Sequence, residues 1–298
     1  MSMSRRSFFA LPLAAIALPS GLAQTSGEAT LLTRAIPSTG ERLPCVGLGT
    51  ASVFDRDDTE TRQHASDVVR ALVAGGGRLI DTASTYGDAE SVLGAVIAAG
   101  ALRSRLFLAT KVEAPDTGEF KGSLGRLRVP SVDLLQLHNV RDPRQSLARL
   151  REWKAQGLTR YVGITSTFHR DFDAVEAVLK NEKPDFVQID YSIDNRLAEK
   201  RILPLAADVR AAVLTALPFG RARLFSAVRG KAIPDWARDF ASDWAQFFLK
   251  FLLADERVTA VIPGTSNAEH MTDNLGAMRG RLPNLDERSR MAGFAETL

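Results

Sequence analysis

From Arg34 to near the C terminus, short apolar runs alternate with longer segments of helical period, and few architectures accommodate that pattern. The runs lie at 45–49, 78–81, 106–111, 132–138, 161–164, 186–189, 212–217 and 258–262. Their nearly unbroken apolar character is that of strands covered on both faces. Between the first two, Ala65, Val68, Val69, Leu72 and Val73 recur at three- and four-residue spacing, which predicts an amphipathic helix over 59–74. Gly75-Gly76-Gly77 ends it. These glycines follow a helix and precede a strand, the reverse of a phosphate-binding turn, so they are expected to form a C-cap and a tight loop. No GxGxxG occurs. Eight strand–helix units without a dinucleotide fingerprint predict an α/β fold of the (β/α)8 TIM-barrel type rather than a doubly wound sheet. Just before the first run, residues 35–44 read as two extended arms around Thr39-Gly40, a β-hairpin suited to plug the barrel floor. No linker divides 34–298, which is expected to be one domain behind a flexible mature N terminus at 24–33.

Residues 1–23 have a different character. Arg5 and Arg6 precede an apolar run from Phe8 to Leu18, and Pro19, Ser20, Gly21, Leu22 and Ala23 follow, the layout of a cleavable signal peptide. The run is shorter than the roughly 18 residues of a membrane span. The paired arginines resemble a bacterial twin-arginine signal, which implies the twin-arginine export machinery as a partner and a periplasmic destination, reached after folding and cofactor loading. An ordinary secretory leader is the other reading, and the location is cytoplasmic if the leader is not used. Without Arg5 and Arg6 the 38 basic residues become 36 against 35 acidic ones, a balance with no electrostatic footprint for nucleic acid. Cys45 is the one cysteine, so neither a disulfide framework nor a cysteine zinc site can form, and a buried thiol is expected. No HExxH or HxH occurs, so no metal site is expected.

Barrel active sites lie at the C-terminal ends of strands. There the sequence places Asp81 on the second run, Tyr86 in the loop after it, Lys111 on the third and His138 on the fourth. Neighbouring strands are about 4.8 Å apart, so the four side chains can converge at the mouth. The set suits carbonyl reduction. A phenol with an ordinary pKa near ~10 is a poor acid at neutral pH, and an adjacent ammonium makes it a better one. Lys111 supplies that charge, Asp81 holds Lys111, His138 hydrogen-bonds the substrate carbonyl, and Tyr86 gives the proton.

With Val46-Gly47-Leu48-Gly49-Thr50, Asp81-Thr82-Ala83 through Tyr86-Gly87, Thr110-Lys111, Leu135-Gln136-Leu137-His138, Val162-Gly163-Ile164-Thr165 and Ile262-Pro263-Gly264-Thr265-Ser266 through Asp273-Asn274-Leu275, the chain resembles the aldo-keto reductase family over essentially its whole mature length. The resemblance implies those four roles for Asp81, Tyr86, Lys111 and His138. It also implies a nicotinamide dinucleotide stretched across the mouth, with Thr165, Ser166 and Gln188 at the carboxamide and Gly264, Thr265, Ser266, His270, Asp273 and Asn274 at the adenosine half. Thr50, Asp81, Pro218, Gly220 and Arg221 complete the implied cofactor set, and Arg221 and Arg223 are either a closure over the pyrophosphate or two solvated loop arginines. Two departures stand out. Gly264 replaces a common Lys and His270 a common Arg, so NADP(H) is expected from the family while NAD(H) stays open, because fixed cations select the 2′-phosphate. Ala216 replaces the usual nicotinamide-stacking aromatic, leaving Phe219 as a substitute or the ring less firmly held.

The expected activity is reduction of aldehydes or ketones to alcohols. The alternative is a non-catalytic nucleotide-binding sensor or regulatory protein on the same barrel. His64 and His169 are expected at the surface, Phe247, Phe248 and Phe251 in a buried barrel helix, and Trp236 or Trp244 beside the substrate. Residues 281–298 are expected to form one closing helix over an open pocket.

Overall fold

The computed structural model describes residues 31–298; the leader expected at 1–23, and residues 24–30, lie outside the described residues. The hairpin forms from β1 (Thr33–Ala35) and β2 (Arg42–Pro44), antiparallel, with Arg34 opposite Leu43. The eight apolar runs become β3 (Leu48–Gly49), β4 (Leu79–Asp81), β5 (Phe107–Val112), β6 (Val132–Leu137), β7 (Thr159–Ser166), β8 (Phe186–Asp190), β9 (Ala212–Ala216) and β10 (Ala260–Val261). They pair in parallel, in sequence order, as one curled sheet. The chain before and within β3 closes that sheet onto its last strand. Gly47 N–H donates to Val261 O at 2.8 Å, Val261 N–H to Cys45 O at 2.9 Å and Gly49 N–H to Pro263 O at 3.0 Å. The seam is tight enough to require glycine, since a Cβ on Gly49 would lie 2.8 Å from the Ile262 carbonyl oxygen. The fold is the expected (β/α)8 barrel. Its fifth barrel strand, β7, runs two residues further at each end than the apolar pattern showed, which puts Thr165 and Ser166 in the ladder.

Strand alternation sorts the barrel interior into layers. At the bottom Leu79, Phe107, Leu134, Tyr161, Phe186 and Ala212 form one buried cluster with Ile36 and Leu43 of the hairpin. The rings of Phe107, Tyr161 and Phe186 lie 5.5 to 5.9 Å apart, a mutual packing worth about 0.5–1.5 kcal/mol per pair beyond the area buried. Tyr161 ties the hairpin down: its hydroxyl donates to Glu41 at 2.8 Å and lies 2.8 Å from Thr39 Oγ1. The hairpin therefore plugs the floor, as expected. Toward the other end of the same strands the inward positions turn polar, with Asp81, Lys111, Gln136 and Gln188, all buried.

The helix at Thr59–Ala74 buries Ala65, Val68, Val69 and Leu72, and Asp58 caps it by accepting from Thr61 N–H. Such a cap contributes about 1 kcal/mol. Gly75 is the C-cap, and Gly76 takes a φ of +88° in the turn to β4. The closing helix is Leu285–Ala295, started by an Asn284/Glu287 capping box. Cys45 is a buried thiol whose pKa burial pushes up to about 11. His64 and His169 are exposed, and Phe247, Phe248 and Phe251 are buried.

Two expectations are corrected. The segment expected to be flexible through residue 33 is built into the barrel from Leu31: Leu32 N–H donates to Met278 O at 2.9 Å, and Thr33 pairs with Pro44. Neither Trp236 nor Trp244 lines the barrel mouth. Trp244, at the start of the helix Trp244–Leu253, stacks on Phe248 and on Phe294 of the closing helix, and Trp236, in the short turn Asp235–Ala237, packs on Phe240 and Phe247, so aromatic neighbours take up both rings away from the cavity.

Candidate active site

The polar top layer converges on Asp81, the last residue of β4. Lys111 Nζ donates to Asp81 Oδ2 at 2.6 Å and to Thr82 O at 2.9 Å, with both side chains almost wholly buried. Two amides complete the carboxylate's shell: Gln136 Nε2 lies 3.3 Å from Asp81 Oδ1, and Gln188 Nε2 lies 3.3 Å from Oδ2. The Gln136 amide also donates to Gln188 Oε1 at 3.1 Å. Gly163 makes room for this layer, since a Cβ there would lie 3.0 Å from Gln136 Cγ.

Tyr86 reaches the cluster from the loop after β4. The Lys111 ammonium lies 4.9 Å from its ring centroid. The loop's path depends on Gly87, whose φ is +55° and whose missing Cβ would lie 2.4 Å from Asp55 O. His138 follows β6, its N–H donating to Val112 O at 2.9 Å and its ring edge-on to Tyr86 at 5.7 Å. All four residues expected to carry the chemistry are therefore together.

Charge is distributed unequally among them. Burial alone would lower the Lys111 pKa, but the Asp81 carboxylate and the Tyr86 oxygen outweigh it, and the pKa is raised above the ordinary lysine range. Lys111 is a fixed cation at neutral pH. The pKa of His138 is lowered, by burial first and then by the Lys111 ammonium, against the opposing pull of Glu113 and Asp81.

A cavity of about 890 Å³ opens above Asp81, Tyr86, His138 and Gln188. Of the residues expected at the cofactor, Thr50, Asp81, Gln188, Pro218, Arg221 and Gly264 line it. Thr165, Ser166, Gly220, Thr265, Ser266, His270, Asp273 and Asn274 do not. Thr165 Oγ1 accepts from Asn139 N–H at 3.0 Å, and the Ser166 hydroxyl donates to Asp171 at 3.0 Å, so both already hold the ends of loops. Thr265 Oγ1 accepts from Asn267 N–H at 3.1 Å, ahead of the helix Ala268–Gly276. Ser266, His270 and Asp273 are exposed there, while Asn274 is buried. Of the two loop arginines, Arg221 lines the cavity, whereas Arg223 is clasped by Asp194 at 2.6 and 2.9 Å and by Gly220 O at 3.0 Å.

The mouth contains residues that the sequence did not single out. Glu113 contacts His138 Nδ1, and Phe168 and Phe225 line the cavity with Phe219. Glu113 and Gln136 had a usable signal, because Glu113 is two residues past Lys111, just beyond β5, and Gln136 is on β6 two residues before His138. Phe225 had none, for it reaches the cavity from a separate short helix, Arg223–Ala227, through its contact with Phe219 at 4.7 Å. A second cavity of about 510 Å³ lies beside the hairpin at the barrel floor and carries none of the four residues.

A sequence model described as the aldo/keto reductase family matches residues 45–288. The chain belongs to the aldo/keto reductase family. It is 30% identical to an aldo-keto reductase of Mycobacterium ulcerans over 243 residues, 78% of this chain and 81% of that one. A Mycobacterium tuberculosis aldo-keto reductase is 39% identical over a shorter stretch of 102 residues, 32% of this chain and 34% of that one. Among solved structures, an aldo-keto reductase from Klebsiella pneumoniae in complex with NADPH superposes with a TM-score of 0.74 at 24% identity, covering 89% of this chain and 95% of its own. The holo form of a Bacillus halodurans aldo-keto reductase gives a TM-score of 0.71 at 21% identity, covering 89% and 96%. In this aldo/keto reductase two residues of the cavity lining also carry buried polar atoms without protein partners. Thr50 and Asn139 both line it, and the buried Thr50 Oγ1 and Asn139 Oδ1 accept or donate no hydrogen bond within the described residues.

Proposed function

We propose that the protein reduces aldehydes or ketones to alcohols with NADPH, using Tyr86 as the proton donor. The observation that carries this reading is the buried Asp81–Lys111 pair set against Tyr86 at the floor of the cavity. The cavity suits a nicotinamide dinucleotide: its size is in the range of cofactor clefts, and Thr50, Asn139 and Gln188 offer polar atoms to a ring carboxamide. Arg221 offers charge to a pyrophosphate. When bound, the cofactor supplies the hydride that goes to the carbonyl carbon. Tyr86 gives its proton to the carbonyl oxygen, and the Lys111 ammonium stabilises the negative charge left on the phenol oxygen. Asp81 keeps that ammonium in place, while His138 meets the substrate oxygen from the other side of Tyr86. The aromatic wall of Phe168, Phe219 and Phe225 excludes water from the reacting atoms.

The choice of NADPH follows the family and the bound nucleotide of the Klebsiella relative, and it rests here on uncharged donors. Gly264 and His270 stand where fixed cations are common in the family, and Ser266 and His270 are both exposed. Calorimetric titration with NADPH and NADH separately tests this. Trp153, Trp236 and Trp244 all lie away from the cavity, so tryptophan quenching is the weaker method. NADPH is expected to bind at least several-fold more tightly. Tighter NADH binding would revise the cofactor, and binding of neither would remove the reductase reading.

The leader at 1–23 supports export by the twin-arginine machinery and a periplasmic location for the mature protein. A fusion of residues 1–30 to a reporter that crosses the membrane only when folded is expected to deliver it outside the cytoplasm, and to stop doing so when Arg5 and Arg6 are both changed to Lys. A native leader that delivers no folded reporter would point to the ordinary secretory route.

A further inference from the structure

The His138 ring is held by a group outside the four residues of the proposed chemistry. Its Nδ1 contacts Glu113 Oε1, and Thr85 Oγ1 lies 3.4 Å from the same nitrogen. Glu113 is fixed from behind, its own N–H donating to Glu119 Oε1 at 2.9 Å. An ionised carboxylate has only acceptor oxygens, so the ring nitrogen that meets it carries a hydrogen. We propose that Glu113 is a positioning residue that keeps the proton on His138 Nδ1 and so leaves Nε2 as the nitrogen that meets the reacting oxygen. This rests on the carbonyl reduction proposed above.

The consequence is a coupling between protonation and direction of reaction. With one proton, on Nδ1, the ring presents a lone pair at Nε2, which accepts from the O–H of an alcohol. With two protons it presents an N–H, which donates to a carbonyl oxygen. The imidazolium therefore serves reduction, and the neutral ring serves the reverse oxidation. The charged and titratable groups facing the ring are Lys111 and Glu113 from β5 and the turn after it, and Asp81 and Tyr86 from β4 and its loop. Burial and Lys111 oppose the second proton, whereas Glu113 and Asp81 favour it. Glu113 can be changed without disturbing the buried pair, because its side chain is 47% exposed.

The test is nitrogen-15 NMR of the full-length resting protein labelled at histidine, together with pH–rate profiles. The protein has four histidines, and His138→Gln assigns the signal. Wild type is expected to show the Nδ1-protonated tautomer. Glu113→Gln keeps an acceptor but removes the charge, so the His138 midpoint is expected to fall by roughly half to one pH unit, the low end for a charge partner that is partly solvated. The pH at which reductive kcat/KM declines should fall by the same amount, with nucleotide affinity unchanged. Glu113→Leu, which offers no acceptor, should lose the tautomer preference. A wild-type ring protonated on Nε2, or a midpoint and tautomer identical in all three proteins, overturns the proposal. So does a Glu113→Gln enzyme that is slower at every pH with its profile in place, since that is a merely structural effect. If the NMR result is as expected but wild type turns over no carbonyl compound, the reductase reading fails while the Glu113–His138 assignment stands.

Discussion

Tyr86→Phe is expected to lower the rate of carbonyl reduction by about 10²- to 10⁴-fold, the usual contribution of a positioned general acid. Nucleotide affinity and Tm should hardly change. The substitution removes one oxygen and keeps the ring that packs edge-on to His138. Lys111 keeps its hydrogen bonds to Asp81 and Thr82, so the buried charge stays compensated. Single-turnover decay of NADPH absorbance, run beside calorimetric binding of the same nucleotide, separates the two readings of the cavity. A reductase loses the decay and keeps the binding. If the Phe variant reduces carbonyls at the wild-type rate, another group gives the proton. If wild type itself binds nucleotide and never oxidises it, the chain is a sensor on a barrel.

Lys111→Met should abolish turnover and also destabilise the fold, which distinguishes it from the Tyr86 variant. It leaves the Asp81 carboxylate buried with only amide partners, and removing one member of a buried pair typically costs about 3–5 kcal/mol. For a domain of this size that corresponds to a fall in Tm on the order of 10 °C. Adding Asp81→Asn should recover part of that loss, because a neutral buried amide needs no counter-charge, while activity stays absent. A double variant no more stable than Lys111→Met would mean that the pair acts through packing rather than charge. The linkage to pH has a definite sign. The folded-state pKa of Lys111 is raised above its unfolded value, so its stabilising contribution is complete below about pH 10.4 and is lost as pH rises through the folded value. Wild type and Lys111→Met should therefore differ by a constant amount at neutral pH and converge only in strong alkali.

The barrel and the four residues of the proposed chemistry were legible in the sequence because both follow from local periodicity. A strand covered on both faces is an unbroken apolar run, and its last inward residue is at the mouth of any barrel it joins, so Asp81, Lys111 and His138 could be placed from their own segments alone. Tyr86 follows from its distance past Asp81. The corrections arose where a side chain's role depends on which distant segment meets it. Gln136 and Gln188 support Asp81 across 55 and 107 residues of chain. Arg223 is occupied by Asp194 from the preceding strand's loop, which leaves Arg221 as the loop arginine at the cavity. Trp236 and Trp244 were placed near the substrate because they follow the seventh barrel strand, yet the aromatic faces of the outer helices hold them elsewhere. Glu113 is the clearest instance, for its spacing put it two residues past Lys111, but only the pairing of β5 with β6 and the path of the turns after them brought its carboxylate to the His138 ring. Backbone period is decided within a few residues by sterics and hydrogen bonding, and is therefore readable from the sequence. The partner of a buried charge or a ring nitrogen is decided by strand register and loop path, which exist only once the barrel has closed.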